Sequence, residues 1–173
     1  MLERCDRTSK SILDVGCGPG SNAGCFSSWE YLGIDHNPKY IEYARTIYPS
    51  MRFSVSDATE FGYEDATFDV ILINSLLHHL DDEECQELLH RVALVLNQKG
   101  GVIVQEPLIP EKHEVLQRFL MSQDRGDHFR SLHQWRKLFG SAGFASSFEE
   151  FYRLKVFGLV TGWQMYSTLL KRF

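Results

Sequence analysis

Apolar positions along the chain fall into two rhythms that take turns. Short apolar-rich runs predict strands at Ser11–Val15, Trp29–Ile34, Arg52–Ser56, Phe68–Asn74 and Val102–Gln105. Within the fourth run, Val70–Ile73 is apolar without alternation, as expected of a strand covered on both faces. Between the runs the apolar spacing turns helical. A short helix fits Ser21–Ser28. Asn37-Pro38 starts another, with Asn as N-cap and Pro at the first helical position, and Ile41, Ala44, Arg45 and Tyr48 share a face up to Pro49. Asp81 and Glu84 form a capping box ahead of the stripe Cys85, Leu88, Leu89, Val92 and Leu96, which Gly100-Gly101 is expected to end. A helix is predicted over 111–121, then a charged loop over Ser122–Arg130. Ser131 and Gln134 form a second capping box, opening a helix that stops at Ala142-Gly143.

The chain closes differently. Glu149–Phe157 and Gln164–Leu170 read as strands, with about six residues between them, too few for a parallel crossover. They must pair antiparallel. The pattern as a whole predicts a doubly wound α/β fold: one domain over 1–173, with a mostly parallel seven-stranded sheet and an antiparallel C-terminal hairpin strand.

Composition narrows the partners. The formal net charge of −5 argues against a nucleic-acid partner, which calls for a basic face. Arg125, Arg130, Arg136 and Lys137 lie close together, but Asp124, Asp127 and histidines are interleaved with them. Cys5, Cys17, Cys25 and Cys85 show neither a C-x-x-C pair nor a metal-site spacing to histidine, so no metal is expected. Reduced cysteines suggest the cytoplasm. Met1–Val15 carries no secretory signal pattern, and no apolar run approaches the length of a spanning helix.

The chemistry gathers at the ends of the strands. The first strand runs into Gly16-Cys17-Gly18-Pro19-Gly20, a turn that side chains must not crowd. Asp14 precedes this loop, Asp35 ends the second strand and Asp57 ends the third. The carboxyl ends of parallel strands line one crevice. Gly16 to Asp35 is 19 positions, the spacing at which a carboxylate reaches the ribose hydroxyls of an adenosine ligand. A nicotinamide dinucleotide calls for G-x-G-x-x-G/A, whereas the third glycine here is at 20 and Ser21 follows. No lysine stands at the loop for a phosphate. Plainer readings exist for each residue: Asp14 as a helix cap, Asp57 as a turn residue, His78 and His79 as structural histidines.

These segments together resemble the class I S-adenosylmethionine-dependent methyltransferases. The resemblance rests on ILDVGCGPG (12–20), YLGIDHNPKYIEYAR (31–45), SDA (56–58), FDVILINSLLHHLDD (68–82), LNQKGGVIVQEP (96–107) and the final hairpin, in that order and spacing. It implies a Rossmann-like fold, S-adenosyl-L-methionine as cofactor and S-adenosyl-L-homocysteine as product. It also implies roles. Gly16, Cys17, Gly18 and Gly20 bring backbone against the methionyl and ribose portions. Asp14 orients the loop and approaches the cofactor's amino group. Asp35 takes both ribose hydroxyls, and His36 flanks the adenine. Asp57 accepts from the adenine amino group with Ala58 beside it. Asn74 and Ser75 face the methionyl end and the reacting methyl.

Methyl transfer from a sulfonium is an in-line displacement from an activated donor, and much of its acceleration comes from aligning the acceptor. A base is needed only for a protonated acceptor. The candidates are His78, His79, His128 and Glu106, with His79 and His128 first. The acceptor is expected to be a small molecule or lipid-like. Asn74-Ser75-Leu76-Leu77 lacks the Asn/Asp-Pro-Pro-aromatic run of amino-methylating DNA enzymes, and no Pro-Cys nucleophile occurs. The segment Pro107–Ser131 is where such acceptor pockets are built. Its Arg125, Asp127, His128 and Arg130 read equally as substrate contacts or as a solvated charged face.

Only ten residues precede the first strand, where relatives commonly carry lid helices. Two arrangements stay open: a site accessible to a larger acceptor, or one covered by a partner subunit. A homodimer through the aromatic-rich end (Phe157, Trp163, Tyr166, Phe173) would serve the second. The competing functions are a non-catalytic S-adenosylmethionine-binding regulator or scaffold, and a nicotinamide oxidoreductase, which the loop spacing disfavours.

Overall fold

The computed structural model describes residues 11–62, 67–110, 118–119, 121–124, 126–156 and 159–173, without the side chains of 155–156 and 159–163. Most of the helix expected over 111–121 lies outside the described residues, as do Arg125, Phe157 and the side chain of Trp163. Seven strands form one sheet: β1 (Ser11–Val15), β2 (Glu30–Asp35), β3 (Arg52–Val55), β4 (Phe68–Asn74), β5 (Leu96–Pro107), β6 (Phe144–Val156) and β7 (Leu159–Arg172). Their order across the sheet is β3-β2-β1-β4-β5-β7-β6. The first five pair in parallel, and β7 runs antiparallel between β5 and β6. This is the expected doubly wound sheet with its antiparallel closing strand.

Side-chain alternation divides each strand between two cores. Leu13, Val15, Ile71, Ile73, Val102 and Val104 face one side, with Leu88, Leu89, Val92, Trp135 and Phe139 packed over them. Ile12, Tyr31, Val70, Leu72 and Ile103 face the other, under Phe26, Ile41 and Ala44. Helix α1 (Pro38–Ile47) therefore covers one face, and α2 (Asp82–Val95) and α3 (Leu132–Ser141) cover the other. The starts of the helices are those expected. Asn37 accepts from Lys39 N–H at α1, and reciprocal capping boxes close Asp81 with Glu84 at α2 and Ser131 with Gln134 at α3.

Several boundaries differ from expectation, among them the last strand, expected from Gln164, which begins at Leu159 because residues 155–156 already pair with it. The short helix after the glycine loop is a single 3-10 turn, Ala23–Phe26. Gly100 and Gly101 do not end α2. The helix stops at Val95, and Leu96 already pairs with Phe68, so both glycines lie inside β5. A side chain at Gly101 would meet Leu169 at 2.8 Å, so the close approach of β7 explains that glycine. The strand expected from Glu149 begins at Phe144, because residues 144–148 find partners on β7. Among the described residues no helix is long and apolar enough to cross a membrane.

Candidate active site

The loop after β1 holds three glycines in the left-handed region: Gly16 at φ 71°, Gly18 at 54° and Gly20 at 85°. A side chain at Gly16 would press on Leu76 at 3.0 Å, and one at Gly20 would meet Ala44 and Tyr48 at 3.3 Å. At Gly18 no atom of the described residues lies within 4 Å. That glycine thus faces open space, as a surface for a ligand requires. The amides of Gly16 and Cys17 both donate to the Ile34 carbonyl (2.8 and 2.9 Å), which clamps the loop to the end of β2.

Asp14 lies under this loop, fully buried. Tyr31 donates to its Oδ2 at 2.7 Å; among the described residues its Oδ1 has no partner at full hydrogen-bond geometry, the side chain of Asn22 being the nearest to acting as one. Burial pushes the carboxyl up to about 6. Tyr31 and nearby Asn22 oppose that shift, and Asp35 adds to it. A buried acceptor without a donor is costly unless a ligand supplies one. An ammonium group matches both the charge and the vacant acceptor, so the residues present fit the amino end of S-adenosylmethionine.

Asp35 acts as a staple. Its Oδ2 accepts from Gly18 N–H (2.9 Å) and its Oδ1 from Asn37 N–H (2.8 Å). Each carboxylate oxygen keeps a further lone pair. His36 is exposed, with Nδ1 at 3.7 Å from Asp35 Oδ1. Asp57, also exposed, takes the backbone N–H and hydroxyl of Thr59 on Oδ1 (2.8 and 2.7 Å), and these bonds hold its carboxyl below the usual range. The turn role of Asp57 is thus real, and it sits at the strand end beside partly buried Ala58. The Cys17 thiol packs in the core, its pKa pushed up by burial, so it presents no reactive group to the crevice.

The end of β4 joins the same place. Ser75 Oγ donates to Asn74 Oδ1 and Asn74 Nδ2 to Asn22 Oδ1, each at 3.3 Å. Ser75 has φ 54°, the one left-handed residue other than glycine among those described. Its N–H is held by the Gln105 carbonyl at 2.8 Å. A strained polar residue at this strand end is consistent with a positioning task.

The histidines divide. His78 is buried, with Nδ1 at 2.7 Å from Glu106 Oε2 and Nε2 at 3.4 Å from Asp124 Oδ1. Glu106, fully buried at the end of β5, also accepts from Leu76 and Leu77 N–H at 2.9 and 2.7 Å. These contacts rule out Glu106 and His78 as groups that meet an acceptor directly, and make Glu106 the anchor of the loop after β4. His79 and His128 are exposed. The amide of His128 donates to the His78 carbonyl at 3.0 Å, which ties the segment of His128 to the turn that carries His78 and His79.

Arg130 is neither a substrate contact nor part of a solvated face. It is buried, its guanidinium spread over the carbonyls of Leu77, Leu80 and His128, the carboxylate of Asp82 and the face of Trp135. Asn22, Tyr31 and Asp124 carry no sequence signal of their own; only the fold brings the first two to Asp14 and the third to His78.

A family model described as a methyltransferase domain matches residues 12–100. Over 147 residues the chain is 29% identical to the uncharacterized methyltransferase YcgJ of Bacillus subtilis, covering 78% of this chain and 57% of that protein. It is 35% identical over 112 residues to trans-aconitate 2-methyltransferase of Enterobacter sp. strain 638, covering 62% of this chain and 43% of that one. The chain thus spans about half the length of these curated relatives. A solved SAM-dependent methyltransferase from Methanosarcina mazei superposes with TM-score 0.81 at 19% identity, covering 99% of this chain and 97% of that one. By its family match and its fold, this chain belongs to the class I S-adenosylmethionine-dependent methyltransferases.

Proposed function

We propose that the chain is a single catalytic domain that transfers the methyl group of S-adenosylmethionine to a small-molecule acceptor. The observation that carries this reading is the buried Oδ1 of Asp14, unpartnered among the described residues, beneath a glycine loop whose Gly18 meets no described neighbour. When bound, S-adenosylmethionine supplies an electrophilic methyl and leaves as S-adenosylhomocysteine. Asp14 accepts from the amino group. Asp35 holds the ribose hydroxyls with the lone pairs its two backbone donors leave. His36, Asp57 and Ala58 border the adenine. Gly16, Gly18 and Gly20 lie along the backbone-lined wall, with Cys17 supporting it from the core. Asn74 and Ser75 orient the methionyl end. His79 or His128 takes the proton when the acceptor carries one, since both reach solvent.

The acceptor class is supported by the relatives whose names specify trans-aconitate, a small polycarboxylic acid. A lipid-like acceptor is the second member of the panel. Calorimetry with S-adenosylmethionine, S-adenosylhomocysteine and NAD tests the cofactor. The first two are expected to bind, and Asp35→Ala to weaken binding by about 1–3 kcal/mol through its lost hydrogen bonds. Turnover across small carboxylic acids and lipid-like acceptors then tests catalysis. NAD binding without adenosylmethionine binding would overturn the cofactor, and cofactor binding without turnover on any acceptor would favour a regulator or scaffold.

A further inference from the structure

We propose that His78, His79 and Asp124 form a binding site for a first-row divalent cation of the Zn2+ class. Each of the three side chains offers a ligand atom, and these atoms lie within 4.8 Å of one another. The contact of His78 Nε2 with Asp124 Oδ1, at 3.4 Å, is close to the edge of a tetrahedron with metal–ligand bonds of about 2.0–2.1 Å, which is about 3.3–3.4 Å.

The contacts of His78 suit this site. Its Nδ1 lies 2.7 Å from Glu106 Oε2. A carboxylate accepts and does not donate, so the proton in that contact belongs to Nδ1. The other ring nitrogen, Nε2, faces Asp124 Oδ1 at 3.4 Å. A ring nitrogen and a carboxylate oxygen so placed call for positive charge between them, supplied by a proton on Nε2 or by a metal ion bound to both. A metal ion meets that need, and Glu106 becomes the outer carboxylate that fixes the tautomer and orientation of a ligating histidine. Arg130, a described cation that reaches this loop, is committed to Asp82.

Asp124 is held in place for the same task. Gly126 N–H donates to its Oδ1 at 2.8 Å. A side chain at Gly126 would strike His78 Cδ2 at 2.2 Å, so the turn carrying Asp124 closes on the imidazole only because residue 126 is glycine. The donor set, two imidazoles and one carboxylate, suits zinc-class ions and not Mg2+ or Ca2+, which prefer oxygen. Three protein ligands leave a fourth position open, on the side where His79 is exposed. A metal held here occupies His79 and leaves His128 as the base of the proposed methyl transfer.

The test takes the full chain, stripped with a chelator, and titrates it with Zn2+ alone and in parallel with Co2+ as a spectroscopic probe. One equivalent bound per chain, visible Co2+ bands of a tetrahedral site and a raised Tm are expected, with no response to Mg2+ at the same concentration. His79→Ala and Asp124→Asn each weaken Zn2+ binding at least tenfold, and Cys25→Ser, which removes an exposed thiol, does not. Circular dichroism confirms that the variants fold. Absence of bound metal, or binding that survives both substitutions, overturns the site and leaves a second proton on His78 as what separates the two acceptors. Cofactor binding, measured separately, is untouched by either result.

Discussion

Tyr31 on β2 donates to Asp14 at the end of β1 across 2.7 Å, with both side chains sealed from solvent. The pair is strained in one sense: burial raises the pKa of both groups, and only one oxygen of the carboxylate is satisfied. The fold keeps at this point a charge that it pays for elsewhere.

Asp14 therefore links stability to pH. Its carboxyl rises from 3.8 to about 6 on folding, so the folded state holds the proton more tightly. The contribution to stability is full below the unfolded value and is lost as pH rises through about 6. At neutral pH the ionised group costs about 3 kcal/mol. Asp14→Asn keeps an acceptor for Tyr31 and removes the charge. It should stabilise the free protein by about 2–3 kcal/mol at pH 8 and flatten its stability between pH 4 and 6. Urea denaturation across that range checks this; a variant no more stable than the parent at pH 8 would refute it.

The same carboxylate should make cofactor binding pH-dependent in the opposite direction. Only the ionised form pairs with an ammonium group, so affinity for S-adenosylmethionine falls as pH drops below about 6, by up to tenfold per unit. Asp14→Asn should bind more weakly and with a flatter profile. Calorimetry from pH 5 to 8 on both proteins gives the comparison.

Gly18 allows binding and folding to be separated. A methyl there meets no neighbour within 4 Å but demands φ 54°, so Gly18→Ala should cost about 1–2 kcal/mol of stability. The same methyl enters the space opposite the loop, and S-adenosylmethionine affinity should fall more than tenfold. Gly16→Ala, pressed against Leu76, should lose more stability. Thermal melts beside titrations tell the two variants apart.

Arg130 and Asp82 should respond unequally although they are paired. Arg130→Met removes the donors of three backbone carbonyls and should destabilise by about 3 kcal/mol. Asp82 is 80% exposed, so Asp82→Asn should cost under about 1 kcal/mol. Equal losses in denaturant titrations would contradict the clasp.

Strand and helix identities were legible because each rests on local chemistry: the apolar runs, Asn37-Pro38 and the two capping boxes are complete within a few residues. What failed to show locally depends on distant partners. Gly101 looks like a helix stop until Leu169 is beside it. Arg130 reads in sequence as a substrate contact or a solvated charge because the carbonyls that bury it include those of residues 77 and 80. The strand-end carboxylates were visible as a set, since a parallel sheet brings its carboxyl ends to one crevice. The sequence put His79 ahead of His78 as the group to meet an acceptor; what holds His78 inward was not visible, because it is Glu106, 28 residues from it.

The place of β7 also bears on how the chain is made. Synthesis delivers β6 before the strand that pairs with it, and β5 waits beside it for the same partner. Until residues 159–172 emerge from the ribosome, two strand edges stand open at once, each a template for a neighbouring chain. Nascent chains stalled ahead of β7 should therefore depend on chaperones far more than chains stalled just after it.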